Sequence, residues 1–340
     1  MRNGDHHGKG GDGAVLVDVP LLDVEAPAAE ALMQLAPDRL AMLIEGGRRR
    51  YGRLVMAVGD RATLAWLRRS GNPYLPEIEA VGRRLGEPGA ALLNMSYEWS
   101  CTAGIAADPG GTGMRLLRTL DWPLPGLGRA VVVARQRGSV GAYYNVTWPG
   151  YAGVLTGLAP GRFCAAINQP PLRKLTRLRP VDWVIARCRL WRSSGLPPSH
   201  LLRRVFDQCA SYGEARRMLT ETPLCAPAFF SLAGIRADEG CVIERREGAA
   251  AVRPAPVSVA NHWTGFAVEG YDRGYDSRGR QSDMHQTLCG AADGFAWLQP
   301  PVLNPTTRLA VIANAATGAL RVQGWERDGA ATTVLSLPPA

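Results

Sequence analysis

Cys101 stands at the head of a β-rich run, Thr102 to Ala107, directly after the polar and aromatic stretch Asn94-Met95-Ser96-Tyr97-Glu98-Trp99-Ser100. The turn cluster Asp108-Pro109-Gly110-Gly111 and a second β-rich run, Met114 to Asp121, predict an antiparallel hairpin. With the turn centred near residues 110 and 111, opposed residues sum to ~221, which sets Cys101 across from Leu120 and brings Arg118 and Asp121 beside it. A cation next to a thiol favours thiolate, and a carboxylate there can hold an ammonium or orient a proton carrier. A buried packing cysteine near a surface Arg/Asp pair would leave the same pattern.

A thiol nucleophile also needs a base. Only His200, His262 and His285 lie in the folded part, and none sits in a local signature for a Cys–His pair. The other route is the α-amino group of the nucleophile itself, whose pKa near neutrality suits proton abstraction. That group exists only after a cut between Ser100 and Cys101. The sequence permits it, because a helical leader ends where a hairpin begins with a nucleophile.

The elements that must position these residues fall into blocks. Apolar residues at helical spacing predict helices over 27–33, 38–50, 62–69 and 75–85, with Ile78, Val81 and Leu85 on one stripe. After residue 100 the texture is of short strands: 102–107, 114–121, 129–137, 141–147, 152–158 and 163–168, separated by turn clusters such as Ala159-Pro160-Gly161. Helices follow over 181–190, 199–209 and 212–220, then strands over 228–236, 240–246 and 257–261, a helix over 282–298, and a closing hairpin of 308–314 with 319–325. Strand runs separated by helix runs argue against a doubly wound parallel sheet. An α+β domain of two stacked antiparallel sheets with helices outside uses every segment.

These residues carry a resemblance. Asn94 to Trp122, with its Cys…Arg-Thr-Leu-Asp unit, then Gly150-Tyr151-Ala152-Gly153-Val154-Leu155-Thr156-Gly157 and Ala226-Pro227-Ala228-Phe229-Phe230, resemble the N-terminal-nucleophile (Ntn) cysteine hydrolases related to acid ceramidase and N-acylethanolamine acid amidase. Choloylglycine hydrolases and penicillin V acylases are more distant relatives. The likeness runs from about Pro73 to about Trp325, in family order. It implies a four-layer αββα sandwich, with a helical leader, 1–100, and a catalytic segment, 101–340. Position by position, it implies Cys101 as nucleophile freed by cleavage after Ser100, Arg118 beside the thiol, and Asp121 bonded to the new amine. Asn261 would help stabilise the oxyanion, and Arg278, in Asp276-Ser277-Arg278, matches a late arginine near the site. Arg278 could equally belong to an exposed loop with Arg273 and Arg280. Tyr97, Trp99, Trp148, Tyr151, Gln169 and His262 flank the motifs and are candidate pocket residues, although any one of the aromatics could simply fill the core. One departure stands out: acid ceramidase-like enzymes have a glutamate after the strand asparagine, whereas this chain reads Asn168-Gln169. Gln cannot titrate, so neither maturation nor activity is expected to require acid; equally, Gln169 could mark a chain that no longer cuts itself.

The implied activity is hydrolysis of an N-acyl amine, a linear amide, through a Cys101 thioester, without cofactor or metal. An acyltransferase of the penicillin type on the same scaffold is the alternative, and an uncleaved, non-catalytic binding protein is the alternative of another class. Composition narrows the rest. The 340 residues, 46% hydrophobic and 20% charged, exclude a disordered chain. A net charge of +9 suggests nucleic acid, but only Lys9 and Lys174 among the 39 basic residues are lysines, an arginine bias of the kind codon composition produces. The Arg48-Arg49-Arg50 run lacks interleaved aromatics and reads as a solvated helix end, so no nucleic-acid partner is expected. Seven cysteines without CxxC spacing fit a reducing, cytoplasmic setting, with Cys164, Cys188, Cys209, Cys225, Cys241 and Cys289 as packing residues. His6 and His7 read as solvated. No signal-like h-region is read, and the apolar stretch 222–235 is interrupted by Pro223 and Pro227, so stable membrane insertion is not expected.

Overall fold

The computed structural model describes residues 16–96, 98–288, 290 and 294–339; His6, His7, Tyr97 and Cys289 lie outside the described residues. The elements run β1 (Leu21–Asp23), α1 (Ala28–Leu35), α2 (Pro37–Tyr51), α3 (Arg53–Arg69), α4 (Leu75–Leu85), α5 (Ala90–Met95), β2 (Ser100–Ala107) and β3 (Met114–Asp121). Then come β4 (Val132–Gly138), β5 (Gly141–Thr147), β6 (Thr156–Ala159), β7 (Phe163–Asn168), β8 (Leu172–Arg173), α6 (Arg179–Arg192), α7 (Pro198–Gln208), α8 (Tyr212–Glu221), β9 (Ala228–Gly234) and β10 (Gly240–Arg245). The chain closes with β11 (Ala250–Pro254), β12 (Val257–Val259), β13 (Gly270–Tyr271), α9 (Ser277–Thr287), β14 (Thr307–Asn314), β15 (Ala319–Glu326), β16 (Gly329–Ala330) and β17 (Leu335–Leu337).

Two sheets result. One orders its eight strands β1-β4-β5-β6-β7-β9-β10-β11; the other has seven, β12-β2-β3-β14-β15-β16, with β17 also on β15. Alternation along β2 and β3 explains how they stack: Cys101, Ala103 and Ile105, with Leu116 and Leu120, join Val146, Phe163, Ala165 and Phe230 in one buried core between the sheets. The opposite face of the same strands, through Ala106 and Leu117, meets Met284 and Leu288 at the end of α9. Gly104 makes that approach possible, because a Cβ there would stand 2.7 Å from Leu288 Cδ2. On the far side α7 lays Leu201, Val205 and Phe206 on the eight-stranded sheet. The αββα layering expected of the sequence is therefore present.

The strand expected over 152–158 begins only at Thr156, α5 and β11 were not expected, and three further differences bear on the site. The leader is not wholly helical, because β1 pairs in parallel with β4, Leu21 opposite Val133. At three residues it is too short to show alternation. The helix expected over 62–69 begins at Arg53, and its first turns expose Leu54, Val55 and Val58, which blurs the amphipathic pattern. The helix expected over 282–298 starts at Ser277 instead, capped by the Asp276 carboxylate, which accepts from Gly279 N, and it ends at Thr287.

The parts of the chain before and after Ser100 meet through polar ties. Arg203 donates to Glu77 Oε2 at 2.6 Å, Trp66 Nε1 to Leu190 O at 3.0 Å, and Asn94 Nδ2 to Gly150 O at 2.8 Å. His200 Nδ1 accepts from the Asn72 amide at 3.0 Å. Burial, assisted by the charge of Arg203, pushes the His200 imidazole down to about 3. The folded state therefore binds fewer protons than the unfolded one between the two pKa values. The stability from this group is present above the ordinary histidine pKa and is lost as pH falls toward the depressed one. Between pH 7 and pH 4 the loss should be about 3 kcal/mol. Urea unfolding at the two pH values should show it, and His200→Gln should remove most of the difference; an undiminished difference in the variant refutes this role.

Candidate active site

The hairpin has the register expected from its turn: Ser100 pairs with Asp121, Cys101 with Leu120 and Ala103 with Arg118. Cys101 points into the core between the sheets and is fully buried, as is Arg118. Arg118 Nη1 donates to Cys101 Sγ at 3.3 Å and to Thr119 O at 2.8 Å, while Nη2 donates to Ile167 O at 3.0 Å. Burial pushes the Cys101 thiol up; Arg118 pulls it down, Asp121 up and Arg280 down, and burial prevails. At neutral pH the sulfur is thus a protonated thiol with the Arg118 guanidinium in contact.

Asp121 is buried too. Its Oδ1 accepts from Thr307 Oγ1 at 2.9 Å and its Oδ2 from Arg280 Nη1 at 3.4 Å. Burial raises its pKa and the Arg280 charge opposes the rise. Asn261, two residues past β12, turns its side chain toward Cys101: Oδ1 accepts from Cys101 N at 2.9 Å and from Arg280 Nη2 at 2.9 Å, while Nδ2 donates to Gln169 O at 2.7 Å. Its own N–H donates to Ser277 Oγ at 2.9 Å.

The late arginine in this cluster is Arg280, which corrects the assignment of Arg278. Arg280 is fully buried and Arg278 is exposed. On a helix, residues two apart point about 200° from one another, so only one of the two can face β2. Arg280 Nη1 donates to Cys101 O at 2.9 Å and Thr102 Oγ1 at 2.8 Å, and Nε donates to Tyr275 O at 2.5 Å. Burial lowers its pKa and Asp121 raises it. The sequence carried a signal for it: Ser277, Arg280, Met284 and Leu288 form one buried stripe at helical spacing, visible once the helix begins at the Asp276 cap. Gly274, with φ +71°, runs its backbone across Ser100, and a Cβ there would strike Ser100 Oγ and Arg280 Nη2.

The other candidates are placed more variously. His262 is half-buried, its Nδ1 2.8 Å from Ser277 Oγ. It bears on the site through Ser277 and Asn261, and burial together with the charges of Arg278 and Arg280 lowers its pKa. Gln169 offers its carbonyl to Asn261, while its Oε1 is buried without a partner among the described residues. Trp99 is buried on the Cys101 face of β2. Trp148 and Tyr151 do line a common space, a narrow apolar cavity of about 60 Å³ between the helices before Ser100 and the segment after Asp121, shared with Trp122, Leu124, Leu43 and Leu93. Among the described residues no group of three or more His, Cys, Asp or Glu side chains is arranged to hold a metal ion.

No protein-family model matches the chain. Its fold is that of the Ntn hydrolases: a solved structure of the Caenorhabditis elegans N-acylethanolamine-hydrolyzing acid amidase ortholog superposes with a TM-score of 0.51 at 22% identity, covering 70% of this chain and 100% of that one. In sequence the chain is similar to acid ceramidases. The Bos taurus protein is 31% identical over 248 residues, 66% of this chain and 59% of that protein, and the Heterocephalus glaber protein is 33% identical over 110 residues, 32% and 27% respectively. The first alignments thus span about a quarter of those relatives' length.

The two arginines of α9 separate by experiment. Arg280→Lys keeps the charge but loses the fork that holds Cys101, Asp121 and Asn261, and should lower stability in urea unfolding by about 2 kcal/mol or more. Arg278→Gln should unfold like the parent; equal loss in both variants would contradict the assignment.

Proposed function

We propose that the protein is a self-processing amidase that hydrolyses an N-acyl amine through Cys101. The observation that carries this reading is the contact of Arg118 with Cys101 Sγ, combined with Arg280 and Asn261 holding the backbone on either side of the same residue. In maturation, Cys101 Sγ attacks the Ser100 carbonyl carbon, the Ser100–Cys101 C–N bond breaks, and the nitrogen takes a proton. Water then opens the thioester, leaving a Ser100 carboxylate and a Cys101 bearing both thiol and amine. In turnover the amine takes the thiol proton, sulfur attacks the acyl carbonyl, and the protonated amine returns its proton to the departing amine before water resolves the acyl-enzyme. Asn261 Nδ2 would serve the oxyanion on release from Gln169 O.

The buried ties of Glu77, Asn72, Trp66 and Asn94 to the catalytic segment support a leader of 1–100 that stays bound to 101–340 after the cut. The apolar cavity lined by Trp122, Trp148 and Tyr151 supports an acyl group on the substrate, since Trp122 lies two residues beyond the partner of Cys101 on the same strand face. A reducing, cytoplasmic setting is part of the reading, supported by six free cysteines among the described residues.

Intact mass should show two pieces divided at Ser100/Cys101, with Cys101→Ala left whole; an uncut parent chain whose thiols resist labelling sinks the amidase. Because Gln169 does not titrate, turnover of an N-acyl amine should persist at neutral pH. A rate that collapses above about pH 6, equally in the parent and in Gln169→Glu, would contradict that part.

A further inference from the structure

Arg273 stands beside the candidate site with no carboxylate to answer its charge. Its Nε donates to Pro170 O at 3.0 Å, and the carbonyl one residue earlier, Gln169 O, takes the Asn261 amide at 2.7 Å. Its own carbonyl accepts from Arg280 Nη2 at 3.4 Å, and the next residue, Gly274, runs across Ser100. The guanidinium thus adjoins the segment that holds the Asn261 amide. Among the described residues, Nε alone of its side-chain nitrogens has a hydrogen-bond partner, and no carboxylate forms an ion pair with it.

The loop that carries Arg273 is braced. Strand β13 pairs with β8, Tyr271 opposite Leu172, Lys174 N donates to Glu269 O at 3.0 Å, and Tyr271 Oη donates to Asp182 at 2.9 Å. Two further cations face the same ring, Lys174 Nζ at 5.4 Å and the Arg179 guanidinium at 5.7 Å from the Tyr271 centroid. Burial and the charge of Arg179 lower the Arg273 pKa to about 10, with Glu98 and Cys101 opposing the fall and Arg187 adding to it. Glu98 is itself shared, with Arg50 at 3.4 Å and Tyr51 Oη at 3.0 Å. A preorganised guanidinium set among cations, with its Nη groups unclaimed among the described residues, suits an anion.

Building on the amidase reading, we propose that Arg273 binds a carboxylate on the leaving amine, so that the substrate class is an N-acyl amino acid rather than an N-acyl amino alcohol. The two ends of such a substrate differ in kind, as do the two surroundings of Cys101. No charged residue lines the apolar cavity at Trp122, Trp148 and Tyr151, which suits the acyl end. Arg273 suits the other. A guanidinium takes a carboxylate through two parallel N–H bonds, whereas the hydroxyl of an amino alcohol offers one uncharged acceptor. Hydrolysis breaks the amide C–N bond, water supplies hydroxyl to the acyl carbon and a proton to the nitrogen, and the amino acid departs with its carboxylate unchanged.

The test gives the full chain a matched pair, N-lauroylglycine and N-lauroylethanolamine, below their micellar concentrations; the two differ by carboxylate against hydroxymethyl. The kcat/KM for the glycine compound should exceed that for the ethanolamine compound at least about tenfold, chiefly through KM. Arg273→Gln should bring the ratio to about one whatever it does to the absolute rates, and Arg273→Lys should restore part of it. Arg278→Gln, which removes an exposed neighbouring cation, should keep the parent ratio, so that a general effect of positive charge is told apart. An ethanolamine compound turned over as well as the glycine compound, or a ratio unmoved by Arg273→Gln, overturns the proposal and leaves the amidase standing. Hydrolysis of neither compound counts against the amidase, and calorimetric titration with N-lauroylglycine then decides for Arg273. Binding that Arg273→Gln weakens at least about tenfold keeps it as the anion receptor, whereas no binding, or binding unchanged in that variant, overturns it.

Discussion

A guanidinium with no exposed surface anchors the site. Taking such a charge out of water costs several kcal/mol, and the cost is met only where good geometry supplies opposing charge and oxygen acceptors. Arg280 finds them on four separate pieces of chain: Cys101 O and Thr102 Oγ1 on β2, Asp121 on β3, Asn261 after β12, and the carbonyls of Arg273 and Tyr275. Each piece is thereby fixed relative to the others. The Asp276 cap starts α9 at the right residue, Gly104 lets that helix press against β2, and Gly274 lets the preceding loop close over Ser100. These features have one physical cause in common, which is that Arg280 must be satisfied in the interior.

Cys101 inherits its environment from that arrangement. Two buried guanidinium groups and one buried carboxylate surround a thiol that burial keeps protonated. Cation proximity alone does not make it a thiolate, so an additional base is required. One nitrogen is in the same residue, its own backbone N, here a peptide N–H committed to Asn261 Oδ1. As a peptide nitrogen it cannot accept a proton; as an amine it could, with the same asparagine oxygen still oriented to receive one of its hydrogens. The chemistry supported by this geometry therefore depends on a covalent change at the Ser100–Cys101 bond.

Residues whose position follows from short-range geometry were legible in the sequence. The Asp-Pro-Gly-Gly turn sets the register of β2 and β3, and with it the placement of Arg118 and Asp121 around Cys101. Arg280 was less legible because the choice between it and Arg278 depends on where a helix begins, and one carboxylate cap, Asp276, decides that. Strand β1 was not legible, since three residues carry no period and its pairing with β4 is set by distant packing. The outward face of α6 was obscured for another reason. Its tryptophans and valines have the composition of a core helix, and only the fold shows that they have no core to enter.

The leader is better described as part of the fold than as a detachable cover. It adds a parallel strand to the eight-stranded sheet, contributes Trp66, Leu67, Ile78 and Val81 to a core shared with Ala152 and Cys225, and walls the apolar cavity beside Trp148. Cutting one peptide bond would remove none of these contacts. Ser100 is itself the first residue of β2, opposite Asp121, so the bond proposed to break lies inside a paired strand whose two sides are held by different parts of the chain. Before the cut, Ser100 and the loop at Gly274 cover Cys101 from the leader side. After it, the new chain end is free to leave that strand while the helices behind it remain bound. Access to the thiol can then arise from local release of a few residues, with the two cores and the buried Arg280 cluster unchanged.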